Sequence, residues 1–205
     1  MSEPQIVRLA TVGSTQDAAR ALPVGSVVVA EYQSAGRGRL DRQWVAPPGT
    51  ALLASFVVPA HPLLSLACGV AAAEACGPGI RLKWPNDLLL NGRKLGGILV
   101  EARPNKAIVG IGINVTAAPP GAARLGGSRD ALLDRLIAEI RRWEAAGPHE
   151  VLERWRQLSD TLGRRVRVEL PSSTVEGVAE DIDSSGALLV DGRPISAGDV
   201  IHLRA

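Results

Sequence analysis

The chain has few cysteine, methionine and aromatic residues, and these shortages exclude several classes of protein. Its 205 residues include two Cys, one Met, four Trp, one Tyr and one Phe. A disulfide framework needs more cysteines, and Cys68 and Cys76 are too far apart for a Cys-x-x-Cys metal or redox pair. The few aromatic side chains also leave little for a stacking platform that binds single-stranded nucleic acid. We expect buried, reduced thiols and a cytoplasmic protein.

Long apolar runs and a strong net charge are missing as well. The sequence shows no run of 18 apolar residues and no charged, then apolar, leader at its start, which predicts neither membrane spanning nor secretion. The net charge is only +2, so no strong field favours nucleic acid or an anionic membrane. With 46% hydrophobic residues, the chain can form a globular domain with a sizeable core and a small appendage.

A glycine-punctuated arginine loop spans residues 34–44, between predicted strands at 27–30 and 50–58. Gly36 and Gly38 allow the backbone to approach a ligand closely. The guanidinium groups of this loop, on Arg37, Arg39 and Arg42, suit phosphate or carboxylate. Its order of residues fits neither a dinucleotide-binding fingerprint nor a P-loop. The loop therefore indicates an anion site, with a solvated basic hairpin as the structural alternative.

Three further motifs follow the arginine loop along the chain. They are Lys83-Trp84-Pro85-Asn86-Asp87, Lys94-Leu95-Gly96-Gly97 and Gly110-Ile111-Gly112-Ile113-Asn114. Asn91-Gly92, between the first two, predicts a type I′ turn and a β-hairpin. The glycines in strands leave room for a ligand, although bulges or tight sheet packing are alternatives for either pair. The alternative to a site role for Asp87 is a structural role in a turn, and the alternative for Trp84 is a place in the hydrophobic core.

Helices and strands alternate irregularly over most of the chain, and short strands end it. Ser14 or Thr15 is predicted to cap a helix that runs through Leu22. The predicted helices further on cover residues 63–75, 128–143 and 151–158, and the predicted strands cover 6–9, 80–84, 88–90, 94–101 and 107–115. Four short strands, at 166–170, 175–179, 187–190 and 200–203, predict a small all-β unit.

Taken together and in order, the four motifs resemble those of the biotin protein ligases. The resemblance covers nearly the whole chain and implies an α+β fold. In that fold a mixed β-sheet packs with helices, as in class II synthetases and the biotin and lipoate ligases, and a small SH3-like β-barrel follows. We expect a catalytic domain at residues 1–162 and the barrel at 163–205.

The resemblance also implies roles for individual residues. The biotin site is expected to comprise Ser14, Thr15, Gln16, Gln33, Gly36, Arg37, Gly38, Arg39, Lys94 and Gly96. The nucleotide site is expected to comprise Arg37, Arg39, Arg42, Trp44, Asn86 and Asn114. Lys94 and Arg39 are the expected catalytic residues, since their charges can stabilise the anionic transition state of adenylation. Asp87 is the candidate ligand for Mg²⁺, which bridges phosphate oxygens.

The implied reaction joins biotin to ATP as biotinyl-5′-AMP and then transfers biotin to a lysine. The acceptor is expected to be the biotin carboxyl carrier protein of acetyl-CoA carboxylase or a related carboxylase. The resemblance leaves a homodimer open. Two departures from the family pattern stand out: Gln16 replaces the usual Asn, and Leu40-Asp41 replaces a basic or small residue followed by Gly.

Three rival interpretations remain from the sequence. A lipoate or octanoate ligase shares the fold, but its Arg-Arg and Gly-Gly-Gly signature with His-Asp is absent. A biotin-responsive repressor carries an additional winged-helix domain, and because the sequence starts at the catalytic motifs we expect no specific DNA binding. A non-catalytic single-strand binder would need more aromatic residues.

Overall fold

The computed structural model describes residues 4–203 as two sheets with helices. Its strands are β1 (Gln5–Val12), β2 (Ser26–Gln33), β3 (Ala51–Val58), β4 (Ile80–Lys83), β5 (Asp87–Leu90), β6 (Arg93–Arg103), β7 (Lys106–Asn114), β8 (Arg165–Glu169), β9 (Thr174–Ile182), β10 (Leu188–Val190), β11 (Arg193–Ile195) and β12 (Asp199–His202). Its helices are α1 (Thr15–Ala19), α2 (Leu64–Cys76), α3 (Arg129–Glu144) and α4 (Pro148–Leu158).

The first seven strands form one mixed sheet in the order β1-β2-β3-β7-β6-β5-β4. β1 and β2 are parallel and are joined through the short α1, while the other neighbours are antiparallel. The predicted hairpin between β5 and β6 is confirmed: Asn91 and Gly92 have φ angles of 51° and 70°, as a type I′ turn requires. The α+β architecture predicted from the sequence is therefore correct.

The helices cover both faces of this sheet. α2 is apolar all round, and ten of its residues are buried where it packs against α3, α4 and the sheet. Ser128 caps α3 by accepting a hydrogen bond from the Ala131 N–H, and Pro148 stands at the first turn of α4. On the other face, α1 covers Val28, Val57 and Ile108.

The helix predicted from Ser14 to Leu22 is shorter than expected, because α1 ends at Ala19. Ser14 occupies the N-cap position, but its side chain makes no capping hydrogen bond there. Both cysteines are free thiols, and burial raises the pKa of Cys76 to about 12 and that of Cys68 further. Neither thiol is therefore a nucleophile at neutral pH.

The C-terminal strands form a second, antiparallel sheet in the order β11-β10-β9-β8-β12, consistent with a small SH3-like barrel. Alternate residues of β8 and β9, among them Val166, Val168, Gly177 and Ala179, are buried. Polar contacts join the barrel to the residue that follows β4 and to α4. The Trp84 indole N–H donates to the Gly186 carbonyl over 3.2 Å, and Arg156 pairs with Asp181 over 2.6 Å.

In the part of the chain that the structure describes, no helix is long and apolar enough to cross a membrane.

Candidate functional site

A cavity of about 530 Å³ opens on the same face of the first sheet as α1, beside the part that α1 covers. Along β7, residues 108, 110, 112 and 114 point to this face, since side chains alternate along a strand. α1 covers Ile108, whereas Gly110 and Gly112 have no side chains and form the floor. The volume lies in the range of small-molecule sites. Both glycines line the cavity, and the side chains of Gln16 and Trp44 pack closely on them, so space for a ligand and close packing occur together at this strand.

One end of the cavity is lined by neutral hydroxyl and amide groups. The Gln33 side-chain oxygen accepts from the Thr15 backbone N–H over 2.7 Å and from the Thr15 hydroxyl over 2.9 Å. The Ser55 hydroxyl in turn donates to the Thr15 hydroxyl oxygen over 2.8 Å. These bonds fix the orientation of the Gln33 amide, so that its NH₂ group is left to donate to a ligand.

Two buried polar atoms at the same end have no partner among residues 4–203. They are the Ser14 hydroxyl and the Gln16 side-chain oxygen, on residues that are 1% and 3% exposed. Buried polar groups without partners are rare, which indicates a bound polar ligand or water. The Gln16 NH₂ donates to the Leu99 carbonyl over 3.2 Å, and its side chain packs on Gly110. The longer Gln16 is accommodated because position 110 has no side chain.

The arginine loop forms a small hairpin over the cavity, which we call the arginine hairpin (residues 36–44). Backbone bonds from Gly38 N–H to Arg42 and from Trp44 N–H to Gly36 hold it together. At its tip Leu40 and Asp41 both have positive φ, 53° and 57°, as in a type I′ turn. That backbone conformation favours Gly, so Leu40-Asp41 is a locally unfavourable choice.

Trp44 turns inward from the arginine hairpin onto the glycine floor. A Cβ at Gly112 would lie 2.7 Å from its ring, and one at Gly97 would lie 3.6 Å away. The indole N–H is buried with no partner among the described residues. The predicted role of Trp44, which is to cover the adenine, requires one face of the indole to be presented to the base. The glycine floor holds the indole ring inside the cavity.

The other end of the cavity is cationic. Lys94 and Asp87 form an ion pair at 2.6 Å, and Arg39 donates to the Asn86 side-chain oxygen over 3.2 Å. Burial lowers the pKa of Arg39, an effect that Asp87 opposes and Arg42 reinforces, but a guanidinium stays charged at neutral pH. Lys83 also lines the wall, and burial lowers its pKa. Positive groups therefore converge at this end of the cavity, which suits it to anions.

Several residues assigned from the sequence have partners within the protein. Arg37 lines the cavity, yet its guanidinium pairs with Glu101 at 2.7 Å and Asp17 at 3.1 Å. The Asn114 NH₂ donates to the Ala123 carbonyl over 3.0 Å, and the Asn86 NH₂ to the Ile98 carbonyl over 2.8 Å. Arg42 pairs with Asp199 of the C-terminal sheet, not with Asp41.

Gly36 and Gly96 are the two assigned biotin residues that do not line the cavity. A side chain at Gly36 would overlap the Trp44 carbonyl oxygen. One at Gly96 would lie 2.6 Å from the Gly112 carbonyl oxygen and 3.0 Å from Leu88. The structure thus gives Gly36 a role in closing the hairpin and Gly96 a role in strand packing. Gly97, on the other face of β6, lines the cavity instead.

Some residues of the cavity wall were not predicted from the sequence. Glu169, Asp199, Val200 and Ile201 reach the cavity from the C-terminal sheet, and no local pattern indicates this. Ser55, which does not line the cavity but donates to the Thr15 hydroxyl, could have been found, because it is a polar residue inside an otherwise apolar strand. Among residues 4–203, no cluster of three or more His, Cys, Asp or Glu side chains could hold a metal.

A mixed sheet with a half-neutral, half-cationic cavity, closed by an arginine hairpin and flanked by a small barrel, defines a class of carboxylate-activating enzyme. The model of the biotin/lipoate A/B protein ligase family matches residues 7–117, and that of the biotin protein ligase C terminal domain matches residues 161–203. The chain belongs to the biotin protein ligase family.

Individual relatives agree with this assignment. The chain is 40% identical over 213 residues to a biotin--[acetyl-CoA-carboxylase] ligase of Mycobacterium tuberculosis, covering 88% of this chain and 80% of the relative. It is 34% identical to the bifunctional ligase/repressor BirA of Escherichia coli, covering 83% of this chain and 63% of that protein. The Aquifex aeolicus ligase, solved with biotin and ATP, superposes with a TM-score of 0.86 at 27% identity, covering 98% and 99% of the two chains.

Proposed function

We propose that the chain joins biotin to ATP as biotinyl-5′-AMP and transfers the biotinyl group to a lysine ε-amine of a biotin carboxyl carrier domain. The acceptor would belong to acetyl-CoA carboxylase or a related carboxylase, as the names of relatives suggest. One observation carries the proposal: a single cavity holds a neutral end with unpartnered hydroxyl and amide groups and a cationic end formed by Lys94 and Arg39.

The neutral end suits the ureido ring of biotin. A urea offers two N–H donors and one carbonyl acceptor, so it needs a mixed set of partners. The Gln33 NH₂ and the Ser14 hydroxyl can donate to the carbonyl, and the Gln16 oxygen can accept an N–H. The Gln33 NH₂ is directed to the ligand because Thr15 binds the Gln33 oxygen. The Ser14 hydroxyl and the Gln16 oxygen have no partner among the described residues.

The cationic end suits adenylation. A biotin carboxylate oxygen attacks the α-phosphorus of ATP, the new C–O–P bond forms, and the bond to pyrophosphate breaks. Two anions have to approach, and Lys94 and Arg39 offset their repulsion by placing positive charge beside the reacting oxygens. No acid or base is required for this step, because no proton is transferred.

The second step consumes the adenylate. The neutral amine of the acceptor lysine attacks the acyl carbon, AMP leaves, and one proton is released. The arginine hairpin covers the cavity and keeps water from the mixed anhydride until the amine arrives. We assign Arg39 to this covering role as well, since it links the hairpin to Asn86.

Mg²⁺ fits the site as a partner of the nucleotide. It is commonly held by one or two carboxylates together with substrate phosphates, and Asp87 supplies one carboxylate at the cationic end. When bound, the ion would neutralise phosphate charge. The nucleotide assignments of Arg37, Arg42, Trp44, Asn86 and Asn114 belong to the same proposal, with Arg37 contributing mainly through its anchoring of the hairpin base.

The remaining expectations from the sequence belong to this proposal too. They are a catalytic domain at residues 1–162, a barrel at 163–205, a cytoplasmic location and a homodimer as one state of assembly. The match of the C-terminal family model to residues 161–203 supports the boundary. The free thiols of Cys68 and Cys76 are consistent with a reducing compartment.

A direct test incubates the full chain with α-labelled ATP and biotin, lipoate or octanoate, followed by a carrier domain. We expect labelled biotinyl-adenylate, pyrophosphate release with biotin alone, and a carrier mass increase that disappears when its acceptor lysine is replaced by arginine. Adenylate formation with lipoate or octanoate and not with biotin would overturn the proposal in favour of a lipoate-type ligase.

A further inference from the structure

The turn that precedes β12 touches two arginines of the arginine hairpin. An Arg39 Nη1–H donates to the Gly198 carbonyl over 3.3 Å, and the Arg42 guanidinium pairs with the Asp199 carboxylate. Gly198 and Asp199 belong to the C-terminal sheet, whereas the hairpin belongs to the first. The barrel thus supplies part of the surface on which the hairpin rests.

The two sides of this contact differ in rigidity. Position 198 is tightly enclosed, because a Cβ there would lie 2.7 Å from Val168 and 3.0 Å from the Glu169 carbonyl oxygen. The Asp199 side chain is 18% exposed and stands on the cavity wall. On the hairpin side, Arg42 is 63% exposed and Leu40 at the tip is 61% exposed. A packed turn therefore holds a lightly packed hairpin.

Charge explains why a carboxylate is needed at this place. Arg39 and Arg42 repel each other, and this repulsion contributes to the lowered pKa of Arg39. Lys83 and Lys94 add positive charge at the same end of the cavity. Without a counter-charge from the barrel, closing the hairpin over the cationic end would be opposed electrostatically. Asp199 supplies that counter-charge from outside the reacting groups.

We propose that Asp199 is a positioning residue for the ligase reaction, acting through Arg42 to hold the arginine hairpin closed over the acyl-adenylate. This inference rests on the proposed function. It gives the C-terminal barrel a defined part in the reaction, which is retention of the intermediate. The Asp199 carboxylate would contribute little to the adenylation step itself, since Lys94 and the neutral end lie on other elements and Arg39 has its own bonds to Asn86 and to the Gly198 carbonyl.

The test compares adenylate formation with adenylate escape in the full chain. Asp199→Asn keeps the shape and removes the charge. With biotin and ATP, we expect its single-turnover adenylation rate to stay within about twofold of the wild type. Release of biotinyl-adenylate into solvent should rise roughly two- to fivefold, the change that one partly exposed ion pair can produce. Pyrophosphate should then be released in excess of biotinylated carrier.

Three further variants separate positioning from a general structural effect. Glu176→Gln breaks an exposed pair with Arg167 elsewhere in the barrel and should leave release unchanged. Asp199→Glu restores the charge and should recover most of the retention. In an Arg42→Gln background, Asp199→Asn should add no further release, because the two changes remove the same contact.

Different failures point to different conclusions. Wild-type release and coupling in Asp199→Asn would overturn the inference, and so would an equal leak in Glu176→Gln or an additive leak in the Arg42→Gln background. If Asp199→Asn does not fold, Arg42→Gln breaks the same pair from the exposed side, and retention by that variant overturns the inference. A wild-type protein that forms no biotinyl-adenylate overturns the proposed function itself.

Discussion

Lys94 lies beside a carboxylate that keeps its ammonium group in place before any substrate arrives. Its Nζ is 2.6 Å from the Asp87 Oδ1, and the two side chains are 45% and 21% exposed. A half-exposed pair of this kind contributes little to stability. The pair instead orients the Lys94 side chain, so that a substrate anion meets an ammonium group that is already in position.

Replacing Lys94 by alanine is expected to slow adenylation by roughly 30- to 1,000-fold, since one charge that stabilises a transition state in a sheltered site contributes about 2 to 4 kcal/mol. Biotin binding should weaken much less, because the neutral end is unchanged. Rapid-quench measurement of adenylate checks the rate, and calorimetry checks binding. Arg93→Ala, which removes the neighbouring exposed cation on β6, is the control and should stay within about twofold. Normal adenylation in Lys94→Ala would contradict the assignment.

At the scale of elements, the glycines of β6 and β7 and the arginine hairpin form one unit. Trp44 of the hairpin packs on Gly112. A side chain at position 112 would displace the indole ring. Gly97, on the neighbouring strand, has more space around it. The pair offers a matched comparison between two glycines of the same floor.

Gly112→Ala should displace Trp44 and loosen the hairpin, because its Cβ would lie 2.7 Å from the indole. We expect the Kd for ATP to rise about tenfold, which corresponds to about 1.4 kcal/mol. Gly97→Ala places its Cβ at an ordinary contact distance of 3.6 Å and should change the Kd less than about twofold. Titration calorimetry with ATP measures both variants. Equal affinities in the two would show that the Trp44 position does not depend on the floor.

Local patterns predicted most elements, and contacts distant in sequence account for what they missed. The apolar run of α2 and the Asn91-Gly92 turn are local signals, and both were confirmed. β11 was missed because Pro194 disfavours a strand, although an edge strand tolerates it. The Asp191-Gly192 turn before β11, with both φ angles positive, was the signal that could have revealed it.

The candidate site likewise contains residues with a local sequence signal and residues that only distant contacts bring to it. The arginine loop was predicted as an anion site from its residue types, and Lys94 was assigned from the family motif; residues of both line the cavity. The contribution of Asp199 was not found, since 157 positions separate it from Arg42 (199 − 42) and no periodicity links them. The opposite faces of Gly96 and Gly97 follow from the period of a strand, which the sequence analysis did not apply to this pair.

At the scale of the whole molecule, one continuous apolar core passes from the first sheet into the barrel. Val27 of β2, Leu82 of β4 and Val200 of β12 belong to the same buried cluster. The boundary between the two parts is also polar. The Trp84 backbone N–H donates to the Thr161 hydroxyl over 3.0 Å, and that hydroxyl lies 3.4 Å from a ring nitrogen of His202. Stability of the junction therefore depends on how His202 is protonated.

Burial is the main cause of the lowered pKa of His202, and the charges of Lys83 and Arg164 lower it further, while Asp160 at 3.7 Å opposes them. Burial likewise lowers the pKa of His61. A histidine whose folded pKa lies below its unfolded value of about 6.5 binds protons more readily when the chain is unfolded. The stability of the folded state is then complete above that value and decreases as the pH falls below it, levelling off once the pH is under the folded pKa.

We therefore expect the free energy of unfolding to fall between about pH 7 and pH 5. His202→Gln should flatten this dependence, because it removes the group that gains a proton on unfolding. His149→Gln, at an exposed position on α4, is the control and should leave the slope as in the wild type. Urea unfolding at several pH values, followed by circular dichroism, measures the slope for each protein. An unchanged slope in His202→Gln together with a flattened one in His61→Gln would place the proton uptake in the loop before α2 and not at the junction with the barrel.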